Sequence, residues 1–226
     1  MHLLTMAGWV AGAAVFLALG ACQTQEDGDS FELTLTIDPS LIDQSLLTGT
    51  PCSPPCWYGL QPGKSTEAQA RSRLKDISFV ESASIVTSES SWVDGRVASF
   101  VTFGCRSPVS RHCGTLTLVE GVLVEIGIPI LYEVTFSQTV PLLGQPDHFF
   151  VQPVSVERTD CVAGLVWKDR SVLLMTDTLI GEECDTLREA GSLTAQSTVS
   201  GAIYGEEGTV PPHGGADTPW QGFSPP

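Results

Sequence analysis

Two hydrophobic periodicities alternate along the chain. Ala70, Leu74 and Ile77 recur at i, i+4 and i+7, with Arg71, Arg73 and Lys75 off that face, which predicts an amphipathic helix with one side to cover. The pattern then changes. Residues 84–88, 96–103, 114–120 and 122–128 are rich in Val, Ile, Phe and Thr, separated by Asp94-Gly95, the Cys105 to Cys113 loop and Glu120-Gly121. They predict an antiparallel meander. Val97, Phe100, Val101 and Phe103 do not alternate strictly, which leaves register and bulges open. A second short helix is expected over residues 135–143, limited by Pro141 and closed by Gly144 with Pro146 just beyond. Strands return over residues 148–154, 161–168 and 171–176, with Asp169-Arg170 as a two-residue hairpin turn. Helix followed by meander thus occurs twice. The expected fold class is α+β, an antiparallel meander sheet with two short helices and two related halves.

The two ends read differently. Residues 7–19 are a short apolar run, of signal-peptide length and too short for a comfortable membrane span. Glu26, Asp27 and Asp29 make residues 23–30 an acidic, flexible tether. Phe31, Leu33, Leu35 and Ile37 alternate with Glu32, Thr34 and Thr36, a pattern for an edge strand that Asp38-Pro39 breaks. From Glu189 on, Gly, Ser, Thr and Pro give the composition of a disordered tail. Residues 198–204 and the aromatics Trp220 and Phe223 point instead to a last strand and a docked tail. The expected organisation is a signal peptide over residues 1–21, an acidic tether over 22–49 and a single domain over 50–226.

One stretch, residues 50–74, carries most of the local signals. Pro62 fixes φ and Gly63 can take the positive φ that closes a type II turn. Ser65 or Thr66 can cap the following helix, with Glu67 near the positive end of its dipole and Gln69 completing a capping box with Thr66. Cys52 and Cys56 bracket Ser53-Pro54-Pro55, which is too stiff to be helical. A disulfide between them would staple a corner from which Trp57 and Tyr58 cover the core, ahead of Gly59. A redox or metal-binding pair is the alternative for the two cysteines. Of the seven cysteines, setting Cys22 aside leaves six, an even number suited to an oxidising compartment. Six cysteines allow fifteen connectivities. Loop length ranks Cys52 with Cys56 and Cys105 with Cys113 first, which leaves Cys161 with Cys184.

Charge narrows the partners. The formal net charge of −15 lies wholly after residue 21, since no Asp, Glu, Lys or Arg precedes Cys22. So acidic a domain is poorly suited to nucleic acid or to anionic lipid surfaces. Motifs for catalysis are missing: there is no G-x-S-x-G, no H-E-x-x-H, no phosphate loop and no paired C-x-x-C. His112-Cys113 and Asp147-His148 are adjacent pairs, which an extended strand points to opposite faces. Asp94, Asp147, Asp169 and Asp185 sit at turn-like positions, where local backbone hydrogen bonding favours Asp, so no catalytic residue, cofactor or metal site is assigned.

Leu19-Gly20-Ala21-Cys22 resembles the lipobox of bacterial lipoproteins. That resemblance implies cleavage before Cys22 and lipidation of this cysteine, giving the two or more acyl chains that stable anchoring needs. The leading region departs from the usual pattern, holding His2 but no Lys or Arg. A cleaved, unlipidated signal peptide and an uncleaved anchor are the other outcomes. The phrases P-C-W-Y-G-L-Q-P-G-K-S at residues 55–65, L-L-G-Q-P-D at 142–147, G-L-V-W at 164–167 and W-Q-G-F at 220–223 are together similar to a set of uncharacterised bacterial lipoproteins. More distantly, the helix start and the later L-G-x-P resemble helix-plus-meander modules of outer-membrane assembly lipoproteins and of proteinaceous β-lactamase inhibitors. That likeness concerns the fold, which does not fix function. The expectation is a binding protein, lipid-anchored on the extracytoplasmic side of the cell membrane, whose partner is an envelope or extracellular protein or ligand. A cell-surface hydrolase is the alternative.

Overall fold

Nine antiparallel strands form one sheet, in a computed structural model that describes residues 38–49, 51–91, 95–107, 110–154, 160–208 and 216–225. The signal peptide, Cys22, the 31–37 strand, Asp94 and His213 lie outside the described residues. The strands are β1 (Val80–Ser91), β2 (Val97–Cys105), β3 (Gly114–Val119), β4 (Val122–Pro129), β5 (His148–Pro153), β6 (Cys161–Trp167), β7 (Val172–Met175), β8 (Gly201–Tyr204) and β9 (Ala216–Pro219). Their spatial order is β1-β2-β3-β4-β8-β7-β6-β5-β9. Two four-stranded meanders therefore meet along β4 and β8, where Ile126 pairs Tyr204 and Ile128 pairs Ala202. The chain is α+β, and each meander follows its own helix.

Both helices start by the same local chemistry. In α2 (Glu67–Asp76) Gln69 Oε1 accepts from the Thr66 N–H at 2.8 Å, and in α3 (Phe136–Leu143) Gln138 Oε1 accepts from the Thr135 N–H at 2.8 Å. Each side chain satisfies a donor that the first turn leaves free. Each capping Thr also forms an isolated β-bridge, Thr66 with Val122 at the start of β4 and Thr135 with Thr198 just ahead of β8. Gly63 has φ +77°, as the Pro62-Gly63 turn requires, and its N–H donates to Leu123 O at 2.6 Å. Helix start and hairpin end are thus tied to each other.

The four described α-helices contribute to one face of the sheet. Leu46 of α1 (Ser45–Thr48), Leu74 of α2 and Phe136 of α3 join Leu116, Ile126, Leu165, Leu174 and Tyr204 in the main core, and Leu187 of α4 (Glu182–Ala190) packs against it. Trp220 and Phe223, ring centroids 4.9 Å apart, pack against the same core, so the tail is docked. The three disulfides join Cys52 to Cys56, Cys105 to Cys113 and Cys161 to Cys184, with Cα separations of 5.7, 5.1 and 5.9 Å. This is the connectivity that loop length ranks first.

Several boundaries differ from expectation. The last part of the expected tether belongs to the domain: a 3-10 turn at Pro39–Leu41 and α1 carry Ile42, Asp43 and Leu46 into burial. Asp169-Arg170 is not a two-residue turn. A 3-10 turn at Lys168–Arg170 and left-handed Ser171 (φ 50°) connect β6 to β7, because two-residue primed turns need positive φ at the first central residue or at both, which favours Gly, and neither Asp169 nor Arg170 is Gly. Asp147 Oδ2 holds this connection by accepting from the Lys168 N–H at 2.7 Å. β1 extends well beyond 84–88, with a break in register between Glu81 and Val86. There Ser84 Oγ replaces the lost strand partner, accepting from the Gly104 N–H at 2.6 Å. After Glu189 the strand expected within residues 198–204 is present as β8, but it lies in the middle of the sheet and is not the last, since β9 follows it.

Candidate functional site

The stapled corner is built around Trp57. Trp57 and Leu60 exchange backbone hydrogen bonds of 2.9 and 2.8 Å across Tyr58 (φ 48°) and Gly59 (φ 83°), two positive φ values in succession as a primed turn demands. Arg73 Nε donates to the Tyr58 carbonyl oxygen and so fastens the turn to α2. Ser65, itself buried, accepts from the Gln61 N–H at 2.9 Å. Trp57 is fully buried, with the rings of Tyr58, Phe79 and Phe103 at centroid distances of 5.0, 6.3 and 5.7 Å. An indole so placed must find an acceptor for its N–H.

That acceptor is Asp43, whose Oδ2 lies 2.7 Å from Trp57 Nε1. The Ser45 N–H donates to Asp43 Oδ1 at 2.8 Å and the Ser45 hydroxyl to Oδ2 at 3.1 Å. Burial raises the Asp43 carboxyl above its ordinary range, outweighing the opposite pull of the hydrogen bonds from Trp57, Ser45 and Tyr58. The chain's only tyrosines, Tyr58, Tyr132 and Tyr204, are each pushed up, first by burial and next by the Asp43 charge. Asp43 pins the entering segment to the corner. The sequence holds one signal for it, the need of a buried Trp for a partner, but nothing that selects Asp43 from the chain's acids.

No family model, curated protein or solved structure matches this chain.

The expected turn residues are not brought together. Asp147 serves the Lys168 amide, Asp185 pairs with Arg188 at 3.1 Å, and Cys113 is consumed by its disulfide, so it forms no nucleophile pair with His112. Among the described residues no three His, Cys, Asp or Glu side chains gather as metal ligands. Cys52 and Cys56 are a structural bridge beside the buried Trp57, with Cys52 Sγ accepting from the Gly59 N–H at 3.3 Å.

What periodicity could not show is the sheet face turned away from the helices. The pairings place Val86, Thr102, Thr115, Gly127, Ile203, Leu173, Val166, His148 and Pro219 side by side in a row crossing all nine strands. Phe150, Val166 and Leu173, with Val162, Met175 and Ile203 against them, form a second apolar cluster made of strand residues alone. Val86 remains 58% exposed and Phe100, Thr102, Thr115 and Ile203 are half-buried, whereas Phe150, Val166 and Leu173 are fully buried, so the open part of this face lies mainly on β1 to β4. Ser88, Phe100, Thr117 and Glu125 form the neighbouring row. Burial raises the Glu125 carboxyl there, opposed by its hydrogen bond with Thr117.

Proposed function

We propose that this protein is a lipid-anchored extracytoplasmic binding protein that works without catalysis and presents the open part of the sheet face opposite the described helices to another envelope or extracellular protein. The observation that carries this reading is the composition of the nine-residue row. On a chain of net charge −15 its exposed and half-buried members, Val86, Thr102, Thr115, Gly127, Ile203, His148 and Pro219, include no Asp, Glu, Lys or Arg, while Val166 and Leu173 are fully buried and only support them. Depletion of charge at the centre of a patch distinguishes protein interfaces from the remaining surface, where bulk hydrophobicity does not. Gly127 in mid-row flattens it further, with Thr115 O at 3.9 Å as the nearest atom to an added Cβ. Anchoring at Cys22 rests on the lipobox resemblance, and the three disulfides suit an oxidising compartment.

Site-specific photocrosslinking on cells tests the face. A photoreactive side chain at Thr102 or Thr115 of the anchored full-length chain is expected to yield a discrete protein adduct, and one at Ser72 on α2 is expected to yield none. Adducts confined to α2, or none at the sheet positions, would remove this reading.

A further inference from the structure

The two edges of the nine-stranded sheet are built differently. At one end β9 has 4 residues and finishes on Pro219, which has no N–H to offer, after which the Trp220 N–H donates to Asp147 O at 3.0 Å. That edge is short and closed. At the other end β1 runs for 12 residues, and among the described residues β2 is the only strand that pairs with it.

Proteins guard such edges with Pro, Lys, short strands or bulges. β1 contains no Pro, Lys or Arg, and its one irregularity lies between Glu81 and Val86. Past that point the register with β2 is unbroken, from Val86 opposite Thr102 to Ser91 opposite Val97. Along this run every second residue turns its N–H and C=O away from β2. Arg71 Nη1 on α2 donates to Thr87 Oγ1 and braces the strand from the helix side. Val86, Ser88, Glu89, Ser90 and Ser91 are exposed. A straight, braced and unguarded row of backbone groups is what strand addition requires.

We propose that residues 86–91 of β1 take up an extended, basic segment of a partner protein as an added strand. Backbone pairing selects an extended chain over a small molecule, since another strand presents donors and acceptors at the matching spacing. Charge selects the sign. Glu81 and Glu89 are the only charged residues of β1, so a Lys or Arg across from Glu89 forms a favourable cross-strand pair. A second copy of this chain would instead bring the same two acids and a further net charge of −15. The edge is distinct from the sheet face, and the two readings stand or fall separately.

Residue-resolved hydrogen exchange on the anchored full-length protein in lipid nanodiscs tests it, with the peptide acetyl-Thr-Lys-Thr-Lys-Thr-Lys-Thr-amide as probe. Excess peptide is expected to slow exchange of the outward amides within residues 86–91 by about tenfold, as newly formed hydrogen bonds do, and to leave β9 unchanged. A twin with Glu in place of Lys should bind about threefold more weakly, the scale of a cross-strand charge pair. A twin methylated at every backbone nitrogen should give no protection. Ser88→Lys with Ser90→Lys, both at exposed positions, should guard the edge and abolish protection, while Ser72→Lys on α2 leaves it intact. Protection by the methylated twin, equal binding of the Lys and Glu peptides, full protection in the double variant, or no protection by any peptide would overturn the proposal. So would slow exchange of the same amides without peptide, which would show the edge already paired within this chain or with a second copy.

Discussion

Replacing Trp57 with Ala is expected to destabilise the domain by about 4 kcal/mol, in the range found for emptying a large aromatic site in a core. Two losses combine. The fully buried ring leaves a void among Tyr58, Phe79 and Phe103, and Asp43 loses the 2.7 Å indole donor that helps to hold its charge. Trp57→Phe separates them, keeping most of the ring and costing about 2 kcal/mol through the one charge-assisted hydrogen bond lost to the buried carboxylate, which keeps its bonds from Ser45. Its cost should depend on pH. Because burial raises the Asp43 carboxyl, its protonation contributes stability that is fully present below the unfolded value and is lost as pH rises through the folded one. Removing the indole donor raises the folded value further, so Trp57→Phe should cost more at neutral pH than at acid pH. Tyr58, Tyr132 and Tyr204 face the same carboxyl but stay neutral throughout, each being pushed up. Urea unfolding at the two pH values checks this. A pH-independent cost, or less than about 1 kcal/mol for Trp57→Ala, a loss typical of any routine substitution, would show that the pin is not built this way.

Gly164→Ala is expected to cost about 3 kcal/mol, the upper end of ordinary overpacking. The cause is space, not backbone conformation. A Cβ at Gly164 would lie 2.0 Å from Leu174 O on the neighbouring strand and 2.7 Å from the Phe150 ring. Neither can yield cheaply, since Leu174 O belongs to the sheet backbone and Phe150 anchors the second apolar cluster. Gly127→Ala is the control, also in a strand but with its nearest neighbour 3.9 Å away, and should change stability by less than about 0.5 kcal/mol. Equal melting temperatures for wild type and Gly164→Ala would contradict the packing described.

Features fixed by local chemistry were legible in the sequence. Pro62-Gly63, Thr66 and Gln69 specify the turn and first turn of α2 within eight residues, and β-branched runs separated by Asp-Gly and Glu-Gly specify β2, β3 and β4. Loop length alone selected the cysteine pairing, since two of the three loops are short. The Thr135 and Gln138 cap repeats that of α2 and could have been seen as well. Other elements owe their form to distant partners. Helix α4, EECDTLREA, buries only Cys184 completely and sets only Leu187 beside it on the core-facing side, so its place depends on the disulfide. The strand β8 lies within the expected residues 198–204, but its place between β4 and β7 in the middle of the sheet is something composition cannot report. The short segment carrying Asp43 reads as tether because its burial depends on Trp57, fourteen residues on. The sheet face arises only when both halves are assembled, so it exists in no single stretch of the chain.

The central claim, a disulfide-stapled binding domain held to a membrane by its first mature residue, can be tested by one measurement. Intact-mass spectrometry of the detergent-extracted protein, before and after reduction, should give a chain beginning at Cys22 with acyl chains on that residue, gaining two hydrogens for each of three bridges on reduction. A chain that starts elsewhere, an unmodified Cys22, or a mass unchanged by reduction would contradict it.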